Sequence, residues 1–361
     1  MLAQRLITQG LAGPPRANVA DVVGNLLAVQ AQDAPLTRWS LAMRTGHGSD
    51  PDLRAALDSG SVVRTHVLRP TWHLVPADDL RWLLALTSPR VVSSMRAQRR
   101  RLGLDDADVV AREHTRLADA LRDHRYLSRR ELAREDLRGE RLGTMLLLAE
   151  LDGLICSGPL DTRGQHTYAL VEERVPPAPA RDRDDAIREL VLRFFTGHGP
   201  ASVAHLVRWA RLVTREVSAA LADLGSELTS TELDGVTLWF APQRSEKSST
   251  QATSSPHPAA SGTWLLPVFD EVYLSYPGSS FPRVTDHPWG ASDHHFAESG
   301  GGVVISDLQD IGWWRRTEAA AVTTVVVGLA SSIGAARRRA VAEQAESLAR
   351  FTGRRLELVH A

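Results

Sequence analysis

The chain has 361 residues, a formal net charge of −1, 43% hydrophobic and 24% charged residues, which fits a soluble globular protein with a substantial core and room for two or three domains. The single cysteine, Cys156, excludes an internal disulfide framework and fits a reducing cytoplasm. The N-terminal MLAQRLITQGLAG lacks the apolar core of a signal peptide, and the longest apolar stretch, Ala319–Ala336, is interrupted by Thr, Gly and Ser, which argues against a membrane span.

Apolar residues at Val19, Val22, Val23, Leu26 and Leu27 form the i, i+3, i+4, i+7, i+8 stripe of an amphipathic helix over Asn18–Val29. Extending the stripe lands on Gln30, a polar amide where an apolar side chain is expected, and Gln32 follows two residues later. Pro35 ends the regular structure at or before Ala34. Further helices are predicted over Leu36–Arg44 and Pro51–Ser59, the second stopped by Gly60. Ser61–Pro76, SVVRTHVLRPTWHLVP, reads as a β-hairpin or two short strands. Three helices followed by a hairpin is the order of a winged helix, a helix-turn-helix variant.

The order recurs. A helix over Arg112–Arg122, a short helix opened by a Ser128/Glu131 capping box, a helix over Arg138–Asp152 and a hairpin over Leu154–Val171 make a second unit. After the Pro-rich linker Val175–Arg183 come helices at Asp184–Phe195, Val203–Trp209 and Thr214–Leu224, then the strands ELTSTEL and VTLWFAP. Gln243–Gly262, rich in Ser, Thr and Pro, reads as a flexible loop. Thr263–Tyr276, Gly301–Arg316 and Thr323–Ala330 read as strands of a small β-barrel or sheet, and Ala335–Thr352 as an Arg-rich helix. The expected fold is α+β, with three tandem winged helix-turn-helix units over 1–105, 106–178 and 179–242, a loop over 243–262 and a barrel or sheet with a helix over 263–361.

Four separated segments, LLAVQAQDAPLTRWSLAMR, RTHVLRPTWHLVPADDLRWLLAL, the HGPAS…VAHLVRWA…LVTREVSAALADLG unit and LLPVFDEVYL, resemble the AlkZ/YcaQ superfamily of winged-helix DNA glycosylases in order, from about Ala17 to Arg316. The resemblance implies a C-shaped molecule with a DNA-sized channel. It also implies excision of N7-alkylated guanines, including for some members the unhooking of interstrand crosslinks made by antibiotic alkylators, as self-resistance. Gln30-Ala31-Gln32 matches the Q-x-Q signature of the AlkZ-like branch, so the resemblance makes Gln30 and Gln32 the catalytic pair. Asp33 falls one place too late for the Q-x-D form of the YcaQ-like branch. The WWRR and SDLQD sequences of Gly301–Arg316 depart from the simpler Gly-rich turn usual in the family.

Glutamines suit this chemistry for a physical reason. Glycosidases ordinarily protonate the leaving group with a carboxylic acid. An N7-alkylguanine is already cationic and leaves without a proton. What remains is to place a water beneath C1′ and stabilise positive charge on the sugar, which an amide oxygen can do by accepting a hydrogen bond from the water. The sequence assigns the water to Gln30 or Gln32 without choosing, and gives Asp33 either the oxocarbenium or the cap of the next helix.

The hairpin supplies Arg64, His66, Arg69, Thr71 and His73 as DNA-binding candidates, and the run MRAQRRR adds Arg99 and Arg100 as phosphate contacts. Such runs also occur as solvated helix faces. His287, Asp293, His294, His295 and Glu298 cluster without the spacing of a standard metal site, so no metal is expected. No phosphate-binding glycine loop appears, and no cofactor is expected. The expected partner is double-stranded DNA carrying an alkylated guanine, bound by a monomer in the cytoplasm. The competing reading is a non-catalytic winged-helix module, a transcriptional regulator or drug-sequestering protein. Near-zero net charge and the lack of an evident dimerisation helix weigh against it.

Overall fold

In the computed structural model, which describes residues 1–46, 50–242, 261–276, 281–288 and 300–361, a short helix α1 (Leu2–Thr8) precedes α2 (Val19–Leu26). Asn18 caps α2 by accepting the Asp21 N–H at 2.9 Å. The helix stops short of the predicted Val29: Leu27, wholly buried, takes φ +63, and the chain turns into the two-residue strand β1 (Val29–Gln30). Tertiary burial of Leu27 overrides the helical stripe. Asp33 caps α3 (Ala34–Ala42) through the Leu36 N–H, and α4 (Asp50–Ser59) ends at Gly60, φ +80. β2 (Val62–His66) and β3 (Trp72–Pro76) pair antiparallel, and β1 adds to the outer edge of β3, giving the order β1-β3-β2.

Two helices outside the predicted elements, α5 (Ala77–Ser94) and α6 (Arg96–Arg101), lead to α7 (Ala107–Leu121), β4 (Leu127–Ser128), α8 (Arg129–Leu132), α9 (Gly139–Leu151), β5 (Ile155–Ser157) and β6 (Thr167–Leu170). The Ser128/Glu131 capping box is present, and these strands form a sheet in the order β4-β6-β5. After α10 (Val171–Arg174) come α11 (Arg183–His198), α12 (Val203–Ala210), α13 (Thr214–Leu224) and the hairpin of β7 (Thr229–Leu233) and β8 (Val236–Phe240). Helices followed by antiparallel strands thus occur three times along the chain.

The C-terminal part comprises β9 (Thr263–Pro267), α14 (Glu271–Leu274), β10 (Gly301–Ser306), β11 (Gln309–Glu318), β12 (Val322–Leu329), α15 (Ala335–Thr352) and β13 (Arg355–His360). Its strands form one open sheet, β13-β12-β11-β10-β9, not a closed barrel: among the described residues β9 and β13 are its edges. Two predicted strands each divide. Thr263–Tyr276 leaves the sheet at Pro267 because Asp270 caps α14, and Gly301–Arg316 folds back at Asp307 and Leu308, φ +48 and +63. β13, an unpredicted parallel neighbour of β12, uses the Arg-rich tail.

The first unit lies between two cores. One face of it packs Val22, Leu26 and Trp39 with Leu265, Trp314 and Phe351 of the C-terminal sheet and helix. Val63, Val75 and Leu83 pack with Leu190, Phe194 and Trp209 of the third unit. The second unit keeps its own core around Leu117, Met145 and Leu170. No helix among the described residues is long and apolar enough to cross a membrane, and no group of three or more potential metal ligands occurs among them. Asp293, His294, His295 and Glu298 lie outside the described residues, as does the predicted loop up to residue 260.

A buried ion pair ties the C-terminal sheet to the first unit. Arg44 donates Nη1 and Nη2 to the two carboxylate oxygens of Asp270 at 2.9 and 2.8 Å, Ser40 adds a 2.6 Å bond, and neither charged side chain is exposed. Burial alone would raise the Asp270 carboxyl, but the Arg44 charge and the hydrogen bonds hold it below the ordinary value. Removing one partner strands the other charge. Asp270→Ala should therefore cost about 3–5 kcal/mol in urea denaturation, with much of it recovered in Arg44→Met/Asp270→Leu.

Candidate active site

Gln30 and Gln32 sit on an extended segment, not on a helix. Gln30 pairs with His73 across β1 and β3, and the next residue, Ala31, donates its N–H to the Trp72 carbonyl at 2.7 Å. On an extended chain, side chains two residues apart share a side. Both amides accordingly reach the turn between β2 and β3. Arg69 Nη2 donates to Gln30 Oε1 at 2.9 Å, and the Trp72 N–H points to Gln32 Oε1 at 3.4 Å. Gln30 is 6% exposed, whereas Gln32 is open to solvent. The turn itself is tight: Leu68 is wholly buried at φ +64, and Arg69 N–H donates to Val67 O at 2.6 Å. Together with Leu27, this puts a positive-φ leucine in each of the two segments that carry the pair and its turn, a conformation that costs of order 1–3 kcal/mol where surrounding packing enforces it.

The environment of Gln30 fixes it at several atoms. Its N–H donates to Glu271 Oε1 at 2.8 Å, and its carbonyl accepts from Thr37 Oγ1 at 3.1 Å. Glu271, fully buried on α14, also accepts from Trp209 Nε1 at 3.0 Å and Ser275 Oγ at 3.1 Å. Arg69 is half-enclosed: besides Gln30 it donates to the Trp209 carbonyl and, at 2.9 Å, to His73 Nε2. Burial lowers the Arg69 guanidinium from its ordinary value, against the opposing charge of Glu271. Because arginine only donates, His73 Nε2 must accept, and His73 Nδ1–H donates to the Thr71 carbonyl at 2.8 Å. His73 is therefore a neutral imidazole. Burial first, and the Arg69 charge second, push its pKa well below the usual value.

The same donor-only chemistry orients Gln30. Its oxygen must face Arg69, so its NH₂ faces the other way.

The other predicted contacts divide. Arg64 is 7% exposed; its Nε donates to Ala31 O at 3.0 Å, its guanidinium lies 4.0 Å from the Trp72 ring centre, and burial lowers its pKa to about 10. His66 hydrogen-bonds Glu150 through Nδ1, and Trp72 Nε1 donates to the same carboxylate at 3.3 Å. Arg64 and His66 thus brace the hairpin from inside. The Thr71 hydroxyl is buried without a hydrogen-bond partner among the described residues. Arg99 donates Nε to Leu104 O at 3.1 Å, whereas Arg100, 3.9 Å from Asp105, is largely exposed at the end of α6. Gln30, Gln32, Arg69, Thr71 and His73 come together; Arg99 and Arg100 do not join them. Asp33 acts as the cap of α3.

The family profile described as DNA glycosylase AlkZ-like matches residues 23–351. The chain belongs to this family. Its fold is that of the Streptomyces sahachiroi DNA glycosylase AlkZ, at 22% identity and a TM-score of 0.75 over 100% of this chain and 98% of that one. A Corynebacterium diphtheriae protein aligns over 57% of this chain and 38% of its own at 12% identity, with a TM-score of 0.18. No curated relative matches the sequence. Family membership gives DNA as the substrate and a DNA glycosylase role in repair.

Glu271, Trp209 and Glu150 are the participants that sequence reasoning missed. For the two glutamates the signal was a carboxylate within an apolar run, in LLPVFDEVYL and in LLLAEL, since a buried carboxylate demands partners. Burial also lowers His166 to about 3 and His205 to about 4, and lowers His198. Each folded imidazole resists protonation, so below about pH 6.5 the unfolded chain binds more protons and stability falls as pH falls. The urea midpoint should drop between pH 7 and pH 5; a constant midpoint would refute the assigned neutral histidines.

Proposed function

We propose that the chain hydrolyses the N-glycosidic bond of cationic N7-alkylguanine in duplex DNA. The observation that carries this reading is the Q-x-Q pair: two neutral amides on one side of an extended segment, at a hairpin turn, in a chain of the AlkZ-like family. In this reading the three helix-and-strand units are winged helices, with the boundaries 1–105, 106–178 and 179–242, and they hold the duplex in a channel as a monomer.

The C1′–N9 bond breaks with its electron pair passing to the base, which neutralises the cationic purine and leaves an oxocarbenium sugar. A water oxygen then bonds to C1′ and its surplus proton passes to solvent. Gln32, open to solvent, presents Oε1 to the water, while Gln30, with its oxygen committed to Arg69, offers its NH₂ to the water or the deoxyribose. Neutral side chains give little help to unmodified guanine, whose leaving group would need a proton. The reading extends to interstrand crosslinks formed at N7 by alkylating antibiotics, because an exposed Gln32 does not require the adduct to enter a closed pocket. The action is monofunctional. The sequence holds a single lysine, Lys247, so the chain is poor in the amines that strand-cleaving glycosylases use to form a Schiff base.

Incubation of N7-methylguanine duplex with the protein, followed by alkaline cleavage, should reveal abasic sites and free alkylbase. Gln30→Ala and Gln32→Ala should each slow release by about 10²-fold, the scale of removing one preorganised hydrogen-bonding group. Variants that release base at the parental rate would refute the site. Binding without release by the parent would refute the activity.

A further inference from the structure

Beside Trp72 lies a cavity of about 490 Å³ to which the glycosylase reading gives no role. Its walls come from Arg64 and Trp72 of the first unit and from Arg129, Arg130, Arg163 and His166 of the second. Trp72 links it to the candidate site, since the same residue that lines the cavity with its ring sends its backbone N–H toward Gln32 at 3.4 Å. One guanidinium group is built into the wall, Arg64, which donates to Ala31 O; Arg129 is exposed and held by a bond from Nη2 to Gly139 O at 2.5 Å. Arg130 and Arg163 are exposed at the mouth.

One carboxylate, Asp161, also lines the cavity, and Glu131 lies on the adjoining helix; both are engaged by local hydrogen bonds. Asp161 Oδ1 accepts the N–H groups of Arg163 and Gln165 at 2.8 and 2.7 Å, which shapes the loop between β5 and β6. Glu131 accepts the Ser128 N–H and hydroxyl at 2.8 and 2.6 Å. Gly164, at φ +73, holds that loop against α4, where an added Cβ would collide with the Arg54 guanidinium. The result is a cationic cavity with preset walls and exposed arginines at its rim, bounded by the hairpins of two units. Planar guanidinium groups lining one cavity suit a phosphate.

We infer that this cavity docks a backbone phosphate of the substrate DNA adjacent to the lesion, with Arg130 and Arg163 as the phosphate ligands. The inference rests on the reading of duplex DNA as the substrate. It places a phosphate contact on the second unit, at α8 and its hairpin loop, in addition to the α6 arginines Arg99 and Arg100. The second unit then grips the strand beside Trp72, the residue whose backbone meets the water-positioning pair.

The test measures binding of undamaged duplex across a salt series, for the parent and for Arg130→Gln/Arg163→Gln. Neutralising one phosphate releases about 0.9 counterion, so the double variant should bind about tenfold more weakly at low salt, with a log–log slope shallower by about 1. A control pair on the C-terminal elements α15 and β13, Arg339→Gln/Arg355→Gln, should change neither affinity nor slope. Unchanged affinity and slope in the first pair would overturn the inference, as would an equal loss in the control pair, which would mark a general charge effect. Because undamaged DNA reports binding alone, these outcomes remain readable even if no base is released.

Discussion

A buried carboxylate, Glu271, organises the candidate site. It is fully enclosed on α14, and an enclosed charge is costly unless partners surround it. Those partners come from different parts of the chain: the Gln30 N–H of the first unit, the Trp209 indole of the third, and Ser275 beyond α14 itself. Satisfying one carboxylate therefore fixes where β1, α12 and the C-terminal segment meet. The adjacent Asp270 binds Arg44 in the same way, so two consecutive acidic residues clamp the first unit to the sheet from neighbouring points. Arg69 then adds the opposite charge and holds both Gln30 and His73 by their acceptors.

This arrangement explains how weak side chains acquire definite roles. A free glutamine amide can present either its oxygen or its nitrogen. Facing a donor-only guanidinium, Gln30 has no such choice, and the nearly buried side chain is held at both its backbone and its amide. Gln32 has one weak contact and solvent around it. In the proposed reaction the buried amide is the fixed reference and the exposed one meets the water, a division that spacing alone does not reveal. Preorganised placement supplies the barrier reduction that an acid would otherwise provide.

The periodic helices were legible in the sequence: α13 and α15 fall on the predicted residues, and the Ser128 capping box and the hairpin of β2 and β3 form as read. These are local signals. Elements governed by distant partners were not legible. Gln30 reads as the continuation of a helical stripe, yet the positive-φ turn at Leu27 and the pairing with His73 make it a strand residue. DEVYL reads as strand because it continues the alternating run of Thr263–Tyr276, but Asp270 at its head caps a helical turn. Arg64 and His66 read as DNA contacts because they are basic residues on a hairpin; the nearby Glu150, 84 residues from His66, draws one inward, and the backbone of Ala31 holds the other. Charge on a hairpin locates a candidate, and burial decides whether it faces the ligand.

The central claim is that a cationic leaving group makes proton transfer by the protein unnecessary, so that neutral amides suffice. Its most direct test is the pH dependence of single-turnover base release from N7-methylguanine duplex. With His73 neutral well below the usual imidazole range and no titrating side chain acting on the base, the account predicts a rate that is level from about pH 6.5 to 9. A bell-shaped profile, or a limb of unit slope within that range, would show an obligatory acid or base and contradict it.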